Sequence, residues 1–173
     1  AQIDAAHKGY DKYFIYIADE IRSADLAIAN MEFTLAGEPY TGYPGFSAPD
    51  TFAEYLARCG FDIFLCANNH ILDKGSEGAA RTIDIYRRLE EERGIRFTGI
   101  AGNEEERSRN YPLKIRRKGI SLALLNLTYG TNLGATLHWP KTNYLGKTSE
   151  IILASEKAKD ADFIISLPHW GPE

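Results

Sequence analysis

Three near-continuous apolar runs, each ending abruptly in polar groups, constrain this chain more than anything else in its sequence. Ala24-Asp25-Leu26-Ala27-Ile28-Ala29 delivers Asn30-Met31-Glu32. Phe61-Asp62-Ile63-Phe64-Leu65-Cys66-Ala67 delivers Asn68-Asn69-His70, and Asp162-Phe163-Ile164-Ile165-Ser166-Leu167 delivers Pro168-His169-Trp170-Gly171. Short apolar runs bounded by turn residues read as buried strands, here Asp25 to Met31, Asp62 to Ala67 and Asp162 to Leu167, with Ile95 to Thr98 as a shorter fourth. Between them lie segments of helical period. Phe14, Ile17, Ala18 and Ile21 mark a helix over Tyr13 to Ser23, and Pro49 and Asp50 open one that Gly60 ends after Cys59. Ser76 reads as the N-cap of a long helix to Arg93 stopped by Gly94, and Lys147 to Lys159 reads as another. Tyr111 to Arg117 and Ile120 to Leu127 flank Lys118-Gly119 as a hairpin. Strands alternating with helices predict an α/β layered fold with a largely parallel sheet plus one antiparallel hairpin.

At 173 residues the chain fits a single domain over 1–173. Its 20 basic against 24 acidic residues give a net charge of -4, which removes any global attraction to phosphate backbones and speaks against nucleic acid. The cluster Lys114, Arg116, Arg117, Lys118 alternates with apolar residues and reads as the solvated face of the hairpin. Cys59 and Cys66 have neither CxxC spacing nor histidines at zinc-ligand intervals, so two buried thiols are expected. No apolar run approaches the ~20 residues of a membrane span. A start at Ala1 without Met, and a stop at Glu173 just after a strand delivers a His, read as a piece of something longer.

In open α/β sheets ligands bind beyond the carboxyl ends of the strands, so the polar groups ending the three runs are expected to share one crevice. A carboxylate, a carboxamide and imidazoles form an oxygen and nitrogen donor set that suits Mn, Fe or Zn rather than thiolate zinc or all-oxygen calcium. Taken singly, a Glu past a strand is usually solvated, Asn-Asn is a common turn pair and a lone His satisfies local hydrogen bonds. The case for a site is their joint occurrence, and the way Asn69 and His70 run into Asp73 and Gly75 before a helix.

The elements Asn68-Asn69-His70-Ile71-Leu72-Asp73-Lys74-Gly75 and His169-Trp170-Gly171-Pro172-Glu173, preceded by Asn30-Met31-Glu32, make a specific joint signal. With Tyr40-Thr41-Gly42-Tyr43-Pro44, Phe46-Ser47-Ala48-Pro49-Asp50 and Thr128-Tyr129-Gly130-Thr131-Asn132, the chain resembles, over nearly its whole length, the bacterial capsule or poly-γ-glutamate biosynthesis (CapA-like) family, whose members look like calcineurin-like metallophosphoesterases. The resemblance implies a layered metallophosphoesterase-like sandwich. It implies Glu32, Asn69 and His169 as metal ligands, His70 as the acid that protonates a leaving oxygen, and Asp73 as the group that orients His70, although Asp73 also suits a purely local role in the turn. Asn68, Tyr129, Thr131 and Asn132 are candidates for substrate contact in the same crevice.

The family's Gly-Asp motif would fall before Ala1 and its last His motif after Glu173. The resemblance therefore implies a domain incomplete at both ends, two divalent ions in the complete protein, and weak or absent metal and little activity in this chain. It further implies a cell-envelope or extracytoplasmic setting, an anionic envelope polymer or phosphoester as substrate, and membrane-bound polymer synthesis machinery as partner. Two functions are compatible with this: a metal-dependent phosphoesterase or related hydrolase, or a component that binds or assembles an envelope polymer around a vestigial site. For the second, the Tyr40 to Phe46 loop offers aromatic rings for stacking on a sugar or peptide polymer, and packing over the sheet edge is the alternative use of those rings.

Overall fold

A computed structural model describes residues 9–136 and 138–171. Three parallel strands, β1 (Ile28–Asn30), β2 (Ile63–Leu65) and β3 (Arg96–Thr98), form one sheet in that order. The crossovers are helical: α3 (Asp50–Cys59) joins β1 to β2, and α4 (Gly75–Arg93) joins β2 to β3. Both helices end on glycines with positive φ, Gly60 at 109° and Gly94 at 73°, as left-handed caps require. A second sheet has the order β5 (Leu113–Arg117), β6 (Ile120–Thr128), β8 (Phe163–His169), antiparallel across β5 and β6 and parallel across β6 and β8. A two-stranded ribbon pairs β4 (Ile100–Ala101), which follows β3, with β7 (Lys141–Thr142), which follows β6; the short helix α5 (Glu104–Asn110) precedes β5, and α6 (Thr148–Lys157) precedes β8.

Strand parity stacks these elements in layers. Successive side chains of a strand point to opposite faces. From β2, Phe64 enters the main core with Phe97, Tyr86, Ile83 and Leu89, beneath α3 and α4. Ile63 and Leu65 face the other way and meet Leu113, Ile115, Leu122, Leu124, Ile165 and Leu167 of the second sheet. The outer face of β6 carries Leu125 and Leu127 onto Ala154 and Ile151 of α6. Helices, sheet, sheet, helix is the order, and two apolar sheet faces packed together exclude water from the middle.

The expected α/β layering is present, with its parallel strands divided between two facing sheets. The hairpin is where the sequence places it: Lys118 and Gly119 both have positive φ, 48° and 86°, the turn that matches strand twist. Its basic face is solvated and paired, Lys114 to Asp160 and Arg117 to Asp62.

Four expectations need correction. The helix over Tyr13 to Ser23 is two short ones, α1 (Asp11–Phe14) and α2 (Ala18–Ser23); Ile17 N–H bonds Phe14 O, a tighter turn, and Ile15, Tyr16 and Ile17 face water, so no packing holds the middle of a longer helix. Ser76 is no cap: α4 starts at Gly75, and Lys74 before it has no side-chain capping bond. The first strand is three residues, Ile28 and Ala29 half-buried and Asn30 exposed, rather than a buried run over Asp25 to Met31. The last strand is not buried: Phe163 and Ile164 are 59% and 48% exposed, because among the described residues β8 is paired on one side only. Helix α5 had no counterpart in the sequence reading, although Asn103, whose side chain accepts from Glu106 N–H at 2.8 Å, is a recognisable cap.

Candidate metal centre and its neighbouring histidine

The layer between the sheets ends in polar side chains. His169 shares parity with Ile165 and Leu167 on β8 and therefore points inward at the carboxyl end. There its Nε2 lies 2.8 Å from Asn69 Oδ1 and 3.6 Å from Glu32 Oε1. Glu32, just past β1, is held by Asn30, whose Nδ2 donates to Glu32 Oε2 at 2.9 Å. Asn69 follows β2. Three donor atoms from three strand ends thus gather in one place.

The turn after β2 is fixed by its own side chains. Asn68 is fully buried: its Nδ2 donates to Met31 O at 2.9 Å and its Oδ1 accepts from His70 N–H at 3.1 Å. Those bonds make it a brace between the β1 and β2 ends. His70 Nδ1 lies 2.6 Å from Asp73 Oδ2, with both side chains buried at 3% and 2% exposure. Asp73 is held in turn by Phe46 N–H, which donates to the same oxygen at 2.8 Å, and the Phe46 ring meets the imidazole edge-on at 4.5 Å. A buried imidazole and carboxylate are tolerable only with such partners.

A third segment closes over the pair. Asn132 N–H donates to Asn69 O at 2.9 Å, and Asn132 Nδ2 lies 3.2 Å from His70 Nδ1 and 3.4 Å from Asp73 Oδ1. Asn132 therefore touches the histidine and carboxylate rather than open solvent alone. Tyr129 is 44% exposed and stacks on the His169 ring at 6.3 Å. Thr131 Oγ1 donates to Gly134 O at 2.7 Å, a loop-shaping bond. Tyr43 is 82% exposed, at the far side of Phe46.

Neutral imidazole nitrogen, carboxamide oxygen and carboxylate oxygen all bind borderline-hard divalent ions at about 2.0 to 2.2 Å. Ligands at that radius stand about 2.8 to 3.1 Å apart in octahedral and about 3.3 to 3.6 Å apart in tetrahedral geometry, and the observed 2.8 and 3.6 Å fall at the two ends of that range. The donors fit one ion with room for further ligands. Among the described residues no group of three or more His, Cys, Asp or Glu side chains gathers at metal-binding distance; the trio qualifies only because one member is a carboxamide. Cys66, two residues before Asn68, is packed in the main core with Phe64, and its thiol donates to Phe64 O at 3.7 Å.

Sequence reasoning thus named the residues that meet here, and it missed Asn30 and Phe46, which hold Glu32 and Asp73. Asn30 was visible as the first polar residue after an apolar run, while nothing marked Phe46 as a partner of His70.

Two facing sheets flanked by helices, with oxygen and nitrogen donors at the strand ends, define a layered α/β sandwich of metallophosphoesterase-like architecture. Within that class the chain belongs to the bacterial capsule synthesis protein PGA_cap family, whose model matches residues 1–173. It is 25% identical over 177 residues to the capsule biosynthesis protein CapA of Bacillus anthracis, an alignment covering 95% of this chain and 42% of that protein. It is 24% identical over 177 residues to the PGA biosynthesis protein CapA of Bacillus subtilis (strain 168), covering 96% and 44%. The chain spans less than half the length of these two relatives. Among the described residues no helix is long and apolar enough to cross a membrane.

Proposed function

We propose that this capsule-biosynthesis chain carries the site of a metal-dependent hydrolase acting on a phosphoester, or on a related ester or amide, during synthesis of an envelope polymer such as poly-γ-glutamate. The observation that carries the proposal is that Asn69 Oδ1 and Glu32 Oε1 lie 2.8 and 3.6 Å from His169 Nε2, beside the His70–Asp73 pair. Glu32, Asn69 and His169 hold one divalent ion, with Mn, Fe or Zn matching the donors. Such an ion supplies Lewis acidity at the phosphoryl oxygens and an activated water. A second ion, as the family resemblance implies for the complete protein, needs donors beyond this trio.

His70 is the proton donor. Asp73, which also accepts from Asn132 Nδ2, accepts from the protonated Nδ1, so the proton passed to the leaving oxygen comes from Nε2. Burial of the pair beneath Phe46 keeps the ring in one orientation while substrate arrives. The substrate is an anionic polymer or its phosphorylated precursor, the setting is the cell envelope, and the partner is membrane-bound polymer synthesis machinery.

A second reading, non-catalytic polymer binding, draws on the exposed rings beside the site: Tyr43 at 82%, Trp170 at 73% and Tyr129 at 44%. Calorimetric titration of the complete protein with Mn²⁺, followed by assay on phosphoesters, separates the two. Stoichiometric binding that Asn69→Ala abolishes, with hydrolysis that tracks occupancy, supports the hydrolase. Tight polymer binding by a chain that takes up no metal and hydrolyses nothing moves the function to the second reading.

A further inference from the structure

One buried carboxamide joins the two sheets at the site. Asn126 Oδ1 accepts from the N–H groups of Cys66 at 3.0 Å and Ala67 at 2.7 Å, immediately before Asn68-Asn69-His70. Its Nδ2 donates to Leu167 O at 3.0 Å, two residues before His169. The side chain is 2% exposed and shares parity with Leu122 and Leu124, so an apolar residue is what the inter-sheet layer itself demands. A leucine there would leave the interior Ala67 N–H without its partner and remove the side-chain bond to Leu167 O, while the Cys66 N–H would keep only its bond to Thr98 O at 2.9 Å. Only a side chain with an acceptor and a donor on one short stem serves both sheets, which Asp and Ala do not.

The neighbouring chain is shaped around this bond set. A Cβ at Gly99 would lie 2.1 Å from Asn126 Oδ1 and 2.3 Å from Ala67 N, and the residue has a φ of +98°. Gly99 therefore leaves the room in which Asn126 reaches across. We infer that Asn126 is a positioning residue that sets the separation between the Asn69-His70 turn and His169. Its importance to chemistry rests on the function proposed above, but the spacing itself is measurable without any metal or substrate.

The test is histidine side-chain NMR on the 173-residue chain at constant pH, where only four histidines contribute. Asn126→Asp keeps the acceptor for Cys66 and Ala67, loses the donor to Leu167 and sets a carboxylate oxygen against that carbonyl. The His169 ring signals should then shift or broaden while those of His70 stay in place, and Asn126→Ala should move both. A residue that only stabilised the fold would lower the melting temperature of both variants and leave the ring signals of the folded molecules at wild-type positions; that result overturns the inference. Should Asn126→Asp fail to fold, the wild type decides by hydrogen exchange. The Ala67 amide and the Asn126 side-chain NH₂ should exchange as slowly as the amides of β2, and exchange at unprotected rates overturns the inference. A complete protein that binds no Mn²⁺ would sink the hydrolase and leave the ring-signal result standing.

Discussion

β2 and β8 are both apolar strands that end at the site, yet they live in different surroundings. In β2, Ile63 is 1% exposed and Phe64 not at all, with α4 over one face and the second sheet against the other. In β8, Phe163 is 59% and Ile164 48% exposed, and on α6 before it Ile152 and Leu153 are both at 57%. Apolar composition therefore reports the capacity to be buried, and position in the layers decides how far it is used. The site takes one wall from each environment: Asn69 and His70 stand on the enclosed sheet, His169 on the open one. A rigid half and a more yielding half is the expected mechanical outcome.

The sharpest way to break this comparison is to hollow out each side. Phe64→Ala removes a ring packed against Tyr86 at 5.5 Å, and should cost about 3 to 5 kcal/mol in denaturant unfolding. Phe163→Ala should cost about 1 kcal/mol or less, because its ring already faces water. Equal losses would mean that the two strands are equally buried in solution.

Substitutions at the two walls of the site should fail in different ways. In the complete protein, if the proposed ion binds, His70→Ala should lower turnover by about 10² to 10⁴-fold while metal-dependent stabilisation persists. His169→Ala should abolish that stabilisation, which for a ligand at one hundred times its Kd amounts to about 2.7 kcal/mol. Thermal shift with and without Mn²⁺ reads one effect and phosphoester kinetics the other. If His70→Ala strips the metal as fully as His169→Ala, His70 is a ligand and not the acid.

The smallest effect concerns the entry to β8. Asp162 is held below the usual carboxylate range by the Ser121 N–H and hydroxyl, which both donate to Oδ2 at 2.7 Å. A carboxyl whose pKa is depressed on folding stabilises above its unfolded value of about 3.9 and loses that stabilisation as pH falls through the folded value. Ser121→Ala should make the stability of the chain fall slightly less steeply below about pH 4 than in the wild type. Identical acid limbs would show that the hydroxyl bond adds nothing in solution.

How much of this was legible in the sequence depended on what kind of force fixed each part. The parallel strands, the helices ended by Gly60 and Gly94, and the Lys118-Gly119 turn follow from local pattern and backbone sterics. The meeting of Glu32, Asn69 and His169 was readable because each ends an apolar run on the same side of the layers. What stayed hidden was relational. That Asn126 points inward among leucines, that Phe46 reaches Asp73 across 27 residues, and that β8 lies at an edge all depend on which sheet a strand joins, and periodicity does not report that.

The contact between Asn69 and His169 spans 100 residues. Contacts of such separation are slow to form, since loop closure comes before the contact rewards it. His169 follows Asn69 by 100 residues and Glu32 by more, so during synthesis the other two donors emerge well before it. A nascent chain would hold an incomplete donor set until β8 docks against β6. If the trio holds an ion as proposed, its capture would act as a checkpoint on assembly, favouring molecules whose two sheets have closed.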